Sequence, residues 1–282
     1  DGTYSVNVQT LNASRIILET GVDNNVVILP IEKLASFNLS TARDTVVAGT
    51  SFQLYVSEAK DINGNPWTGT IDILFAEGDN VSHRAPDGMT EPELSQIPVS
   101  SGTGEGRQVL YLVENGVILS GTADGITANA NSLTVAPGAL ETFQFESLPD
   151  SVTAGSFFPV SVRIKALDKW KNHKTDENRP ISFSSTDTDI RVVLPAPTNF
   201  ENGTKLFPGT SFKLIKTPFQ KITVTGGGKN KTSEPIFVKA ATINQFIYNI
   251  SPGDSLTAGV PYKLIISEAK DSCDNKASGV IF

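Results

Sequence analysis

Few side chains in this sequence could take part in catalysis. The two histidines, His83 and His173, stand in different turn-rich segments, so a serine, a histidine and an aspartate could meet only through tertiary contact. The sequence has no Gly-x-Ser-x-Gly motif to hold a nucleophile on a sharp turn. The glycine-rich segments 102–106 and 226–229 lack the full spacing of a phosphate-binding loop and do not open a predicted helix. This inventory predicts a protein that is not an enzyme.

The best candidate for a metal site is an acidic turn that begins at Asp61. Asp61, Asn63 and Asn65 place side-chain oxygens at alternate positions, as a calcium-binding loop does. An EF-hand loop also needs a glycine and a glutamate further on, where this chain has Pro66 and Asp72. Calcium is therefore one hypothesis for this turn, and a purely structural turn is the other. No other cofactor is expected.

The same turn recurs, which favours the structural hypothesis. An aspartate is followed four residues later by an asparagine in three places: Asp61 and Asn65, Asp168 and Asn172, and Asp271 and Asn275. The residues between them differ, so only the first and last members of the calcium set are kept. We expect each aspartate to accept hydrogen bonds from the amides of its own turn, and each asparagine to take a positive φ.

The turns belong to a longer repeat of about 105 residues. Each repeat opens with a strand that carries Phe37, Phe143 or Phe246. An Ala-Gly turn follows, then an aromatic residue, then the strand that leads to the aspartate turn. The predicted units are a leading C-terminal half-repeat (1–33), repeat 1 (34–138), repeat 2 (139–241) and a trailing N-terminal half-repeat (242–282).

The local pattern is that of β-strands throughout. Apolar and polar residues alternate with a period of two, and Gly, Pro, Asn and Asp separate the strands. No segment shows a helical period with caps. About seven short strands per repeat predict an all-β fold of tandem immunoglobulin-like sandwiches. The short linkers at 136–139 and 240–242 predict that the sandwiches are arranged as a rod.

The strand that leads to the aspartate turn is predicted to contain a β-bulge in repeat 1 and in the trailing half. In repeat 2, Phe158 and Ala166 are separated by an even number of residues, which keeps both side chains on one face. In repeat 1, Phe52 and Ala59 are separated by an odd number. If both ends face the core, this strand of repeat 1 and its counterpart in the trailing half each need one extra residue.

The order of these motifs resembles that of bacterial Ig-like repeats. The shared order is a phenylalanine, then Ala-Gly-x-x-Phe, then Ala-x-Asp-x-x-x-Asn. In repeat 2 these motifs are followed by Phe183–Asp187, Leu194-Pro195 and Ile222–Thr225. Such filamin-like or invasin-like modules are strung along very large surface proteins. The resemblance covers essentially the whole chain, is best over 139–241, and departs from the pattern within 76–106. It implies an extracellular or cell-surface location and a structural role.

Three classes of function remain open. The first is a non-enzymatic structural protein of the cell exterior that forms a stalk, fibre or surface layer. The second is an adhesin that binds a glycan or a host protein through loop tips at 86–98 or through Trp67 and Trp170, which would otherwise pack over the sandwich edge. The third is a set of spacer repeats in a larger secreted enzyme.

The single cysteine, Cys273, lies in the third aspartate turn. We expect it to be exposed there. It is either an unpaired thiol or the partner of a cysteine outside this sequence, in an intermolecular disulfide. With one cysteine, the sandwiches lack the internal disulfide of antibody domains, and their cores depend on apolar burial alone.

Charge separates the two complete repeats. The chain has 23 basic and 30 acidic residues, and this net charge of −7 argues against a general nucleic-acid binder. Residues 34–137 carry 4 basic and 12 acidic groups, whereas residues 138–240 carry 14 and 10. Either these are solvated faces, or opposite repeats of neighbouring chains attract each other. The expected partners are further repeats of the same chain or other copies, which would complete the half-repeats.

Other features fit a secreted chain. No run of about 18 apolar residues occurs, so no membrane span is predicted. We interpret the sequence as an excerpt of a mature, exported polypeptide. Sequons that would allow N-glycosylation in a secreted protein lie at Asn12, Asn38, Asn80, Asn202, Asn230 and Asn249.

Overall fold

The computed structural model describes residues 33–75, 95–251, 253 and 255–280, and the backbone of 3–11 and 17–27. The predictions for Asn12, Asn80, His83 and most of the loop at 86–98 lie outside the described residues. Within these ranges, no helix is long and apolar enough to cross a membrane.

Almost every regular element of the described residues is a β-strand. The leading half contains β1 (Thr3–Leu11) and β2 (Ile17–Val27). Repeat 1 contains β3 (Leu34–Thr41), β4 (Thr45–Val47), β5 (Phe52–Asp61), β6 (Gly69–Phe75), β7 (Gln96–Ser100), β8 (Thr103–Gln108), β9 (Asn115–Val117), β10 (Leu119–Ala123), β11 (Ile126–Asn129) and β12 (Leu133–Ala136).

Repeat 2 and the trailing half continue the pattern. Repeat 2 contains β13 (Leu140–Glu146), β14 (Ser151–Thr153), β15 (Val162–Asp168), β16 (Pro180–Ser185), β17 (Thr198–Asn199), β18 (Thr204–Phe207), a 3-10 turn (Gly209–Ser211), β19 (Phe219–Gln220), β20 (Ile222–Gly226), β21 (Lys229–Thr232) and β22 (Ile236–Lys239). The trailing half contains β23 (Ile243–Ser251) and β24 (Lys263–Asp271).

Each complete repeat is a sandwich with its own core. In repeat 1, a sheet of order β11-β10-β6-β7-β8-β5-β3 and a sheet of order β4-β12-β9 contribute to one apolar cluster. In repeat 2, sheets of order β13-β15-β18, β17-β16-β20-β21 and β14-β22-β19 surround a second cluster. The ring of Phe212 is fully buried there and contacts Phe158, Phe183 and Phe207. The prediction of an all-β fold of tandem Ig-like sandwiches is confirmed.

The predicted β-bulge is present in both strands that were expected to need one. Along β3 and β5, the pair Ser36 and Lys60 is followed by Asn38 and Ser57, so β5 contains one extra residue. Glu58 takes a φ of 52° at this point. β23 and β24 shift in the same way, and Glu268 also has a φ of 52°. The bulge returns the aspartate at the strand end to the same face in every repeat.

The trailing half exposes the face that complete repeats bury. Leu54 and Val56 of β5 lie in the core of repeat 1, whereas their counterparts Leu264 and Ile266 of β24 are 53% and 44% exposed. The strand pair β23-β24 is a two-stranded sheet on its own.

Candidate functional site at the joints between repeats

The aspartate turn of repeat 2 is fixed by a buried carboxylate. Asp168 is only 1% exposed, and its Oδ1 accepts hydrogen bonds from the backbone amides of Trp170 and Asn172, both at 2.9 Å. Its Oδ2 accepts one from the backbone amide of Gly138 at 2.9 Å and one from the side-chain amide of Asn172 at 2.9 Å. The carboxylate therefore ties the turn to the linker that precedes the repeat.

The turn of the trailing half has the same bonds. Asp271 accepts from the backbone amides of Cys273 at 2.8 Å and Asn275 at 2.9 Å, and its other oxygen accepts from the linker amide of Ala241 at 2.9 Å. In repeat 1, Asp61 likewise accepts from the amides of Asn63 at 2.9 Å and Asn65 at 2.8 Å.

The expectation that the asparagine takes a positive φ is wrong. The positive φ belongs to the residue before it, at Gly64, Lys171 and Asp274, with values of 83°, 67° and 66°. The local backbone therefore gives no reason for an asparagine at the end of each turn.

The asparagine instead bonds to the preceding repeat. The side-chain amide of Asn172 donates to the carbonyl of Tyr111 at 2.7 Å, and its oxygen accepts from the amide of Val113 at 3.1 Å. The same pair of bonds links Asn275 to the carbonyl of Ile215 at 2.8 Å and the amide of Thr217 at 3.2 Å. We call the first set joint 1 and the second joint 2.

The Ala-Gly turn of the preceding repeat forms the other half of each joint. We call Ala48-Gly49 the socket of joint 1 and Ala154-Gly155 the socket of joint 2. The amide of Gly49 donates to the carbonyl of Leu110 at 2.8 Å, and that of Gly155 donates to the carbonyl of Leu214 at 2.9 Å. Each socket is thus tied to the segment that receives the asparagine.

The second residue after the aspartate packs on the socket. A Cβ on Gly49 would overlap the indole of Trp170, and one on Gly155 would lie 2.7 Å from the sulfur of Cys273. Both glycines also have a φ of 75°, which disfavours other residues. Trp170 further packs edge-on to Tyr111, with ring centroids 4.5 Å apart.

The tryptophans follow the alternative of packing, whereas the expectation for Cys273 needs correction. Trp67 is 5% exposed and belongs to the core of repeat 1, so its ring is not accessible to a sugar, and Trp170 is partly buried in joint 1. Cys273 was expected to be exposed but is 5% exposed, because it packs into the core cluster of repeat 2. An intermolecular disulfide stays a prediction, and it would require joint 2 to open.

Joint 2 also contains an ionic cluster. The guanidinium of Arg191 donates to the carbonyls of Ser272 at 3.2 Å and Cys273 at 3.1 Å, and it lies 3.6 Å from the carboxylate of Asp274. Asp189 holds Arg191 through two further bonds at 2.9 Å. The hydrogen bonds from Arg191 hold the pKa of Asp189 far below its ordinary value. In the part of joint 1 that the structure describes, the contact of Trp170 with Tyr111 takes the place of this ionic cluster.

Salt is expected to loosen joint 2 and to leave joint 1 unchanged. Arg191 and Asp274 are partly exposed, so salt weakens their attraction, which is worth about 1 kcal/mol or less. We expect molar NaCl to raise the rate of thiol modification at Cys273 about two- to fivefold. The control is acrylamide quenching of Trp170, since the other tryptophan is buried. Equal responses of both probes would contradict the assignment.

Acid is expected to open joint 2 as well. Burial raises the pKa of Asp271, but the hydrogen bonds from Asn275, Ala241 and Cys273 outweigh it and keep the pKa below its ordinary value. A depressed pKa stabilises the folded state above the unfolded pKa of about 4, and this contribution is lost as the pH falls through the folded pKa. Modification of Cys273 by 4,4′-dithiodipyridine should therefore accelerate below about pH 4. Asp271→Asn should react rapidly at every pH, and an unchanged pH profile in this variant would refute the explanation.

The remaining candidate residues lie outside the joints. No group of three or more His, Cys, Asp or Glu side chains is placed to hold a metal ion in the described residues. Calcium at Asp61, Asn63 and Asn65 stays a prediction. His173 shares a hydrogen bond of 3.0 Å with Thr204. The described sequon residues, all exposed, are Asn38, Asn202, Asn230 and Asn249.

Comparison with known proteins gives matches only among solved structures. No family model and no curated protein matches the chain. The adhesin FdeC of Escherichia coli is 21% identical, with a TM-score of 0.43, over 90% of this chain and 79% of that one. Invasin, a bacterial integrin-binding protein, is 14% identical, with a TM-score of 0.37, over 88% of this chain and 49% of invasin. Domains 4 and 5 of the S-layer protein SbsC are 15% identical, with a TM-score of 0.30, over 73% of this chain and 98% of that one.

Proposed function

We propose that this chain is a non-enzymatic structural protein of the cell exterior, whose Ig-like repeats form a stalk, fibre or layer. The observation that carries the proposal is the identical set of asparagine hydrogen bonds at joints 1 and 2. A turn held by a buried carboxylate bonds directly to the backbone of the preceding repeat, next to a linker of few residues. Such a joint restricts bending, so the proposal includes a rod of sandwiches.

Small-angle X-ray scattering of the intact chain tests the rod. We expect a maximum dimension that fits consecutive sandwiches placed end to end. The double variant Asn172→Ala and Asn275→Ala removes the asparagine bonds across both joints and should give a broader distribution of dimensions. A compact wild-type particle, or a wild-type profile as flexible as that of the variant, would contradict the rod.

Surface labelling tests the location. An antibody against repeats 1 and 2 should label intact source cells as strongly as permeabilised ones. Labelling that requires permeabilisation would refute the external location while leaving the joints unaffected.

The exposed face of β23 and β24 needs a cover, since exposed apolar surface of this kind promotes association. We propose that the back half of an Ig-like repeat covers it, either from further repeats of the chain or from a second copy. The intact mass of the native protein, denatured and reduced, separates these sources. A mass far above 30.1 kDa supports further repeats. A mass near this value with dimers or filaments in solution supports a second copy, and a stable monomer of this mass would contradict both.

A further inference from the structure

We infer that the second residue after the aspartate in each turn decides which repeat can follow which. This inference rests on the proposed function, because it concerns the order of repeats in a rod. The aspartate, the asparagine and the Ala-Gly socket are the same at both joints. The residue that packs on the socket differs, being Trp170 at joint 1 and Cys273 at joint 2.

The socket of joint 1 fits an aromatic residue. Trp170 lies over Gly49 and against the edge of Tyr111, whose carbonyl also accepts the hydrogen bond from Asn172. Tyr111 is itself 6% exposed. A cysteine at position 170 would leave a space the size of an indole beside the tyrosine ring, and an unfilled space at a packed contact is destabilising.

The socket of joint 2 fits a small residue. Ile215 stands at the position equivalent to Tyr111, since its carbonyl accepts the corresponding bond from Asn275. The sulfur of Cys273 already lies against Gly155, while Arg191 bonds to the carbonyls of residues 272 and 273 from the side of the preceding repeat. An indole at position 273 would have to displace either the socket or Arg191, and overpacking of this kind is costly.

The two sockets therefore recognise different neighbours. Joint 1 accepts a repeat whose turn presents a large aromatic side chain to a tyrosine. Joint 2 accepts a repeat whose turn presents a small side chain and two carbonyls to an arginine. The residues common to both joints hold any two repeats together, and the variable residue selects the pair.

Exchange of the two residues in the intact chain tests the inference. Elastase cleaves after small residues, and the linkers 136–139 and 240–242 both contain alanines. The backbone amide of Gly138 in the first linker donates to Asp168, and that of Ala241 in the second donates to Asp271. Cleavage at each linker, followed by mass spectrometry, therefore measures the opening of each joint. We expect Trp170→Cys to raise cleavage about tenfold at 136–139 only, and Cys273→Trp to raise it about tenfold at 240–242 only.

Conservative variants and a variant of intermediate size separate an effect of side-chain size at the socket from unfolding of the repeat. Trp170→Phe and Cys273→Ser preserve the class of side chain and should leave both linkers near the wild-type rate. If Cys273→Trp unfolds repeat 2, then Cys273→Leu should give an intermediate rate confined to 240–242. Wild-type rates in both exchange variants, or equal effects from the conservative variants, would overturn the inference. Rapid cleavage of both linkers in the wild type would instead refute the rigid joints of the proposed function.

Discussion

Asp168→Ala is expected to lower the free energy of unfolding by about 3 kcal/mol or more. The carboxylate accepts hydrogen bonds from the backbone amides of Gly138, Trp170 and Asn172, and from the side-chain amide of Asn172. Alanine leaves the buried backbone amides of Gly138 and Asn172 without this acceptor, and each unsatisfied donor costs about 1–3 kcal/mol. Scanning calorimetry should show the transition temperature falling by roughly 10 °C or more.

Asp150→Ala provides the matched control, since Asp150 is an exposed aspartate of the same repeat. Its removal should change the transition temperature by no more than a few degrees. Asp168→Asn keeps the shape of the side chain but replaces one accepting oxygen with a donor, so it should be destabilised nearly as much as alanine. Equal stability of the Asp150 and Asp168 variants would show that the turn does not depend on its carboxylate.

Features with local causes could be predicted from the sequence. The strands follow from alternation of apolar and polar residues, and the bulges at Glu58 and Glu268 follow from counting residues between two positions that must face the core. The aspartate of each turn was also predictable, because it bonds to amides two and four residues further along the chain.

The joints could not be predicted from local spacing. Asn172 bonds to residues of the preceding repeat that are about sixty positions earlier, and no periodicity within one repeat indicates that distance. Two signals were present in the sequence. One is the asparagine that recurs in every turn although no positive φ requires it there, and the other is the Ala-Gly pair that recurs in every repeat.

The burial of Cys273 was not expected, whereas the burial of Trp67 follows one of the two alternatives that the sequence left open. A residue in a turn is usually solvated, and this expectation fails for Cys273 because the turn lies at the end of its repeat, where the preceding repeat covers it. Trp67 lies just after its turn and points into its own sandwich. A residue at the surface of one repeat, such as Cys273, can therefore be buried by the preceding repeat in a tandem array.

Gly49→Ala is expected to cost about 2–3 kcal/mol in the wild type and about half as much in a Trp170→Ala background. The cost has two parts. A φ of 75° strains alanine by about 1 kcal/mol, and the added methyl group overlaps the indole of Trp170. Removal of the indole abolishes the second part and leaves the first. Unfolding of the four proteins of this double-mutant cycle, followed by calorimetry, gives the difference directly.

Gly64→Ala isolates the backbone strain, because Gly64 has a φ of 83° and nothing within 4 Å of an added Cβ. Its cost should equal that of Gly49→Ala in the background without Trp170. If Gly49→Ala costs the same in both backgrounds, the indole does not press on the socket, and joint 1 would depend on the Asn172 bonds and the contact of Trp170 with Tyr111. A coupling of about 1 kcal/mol or more would instead show that the recurring glycine is required by the neighbouring repeat as well as by its own turn.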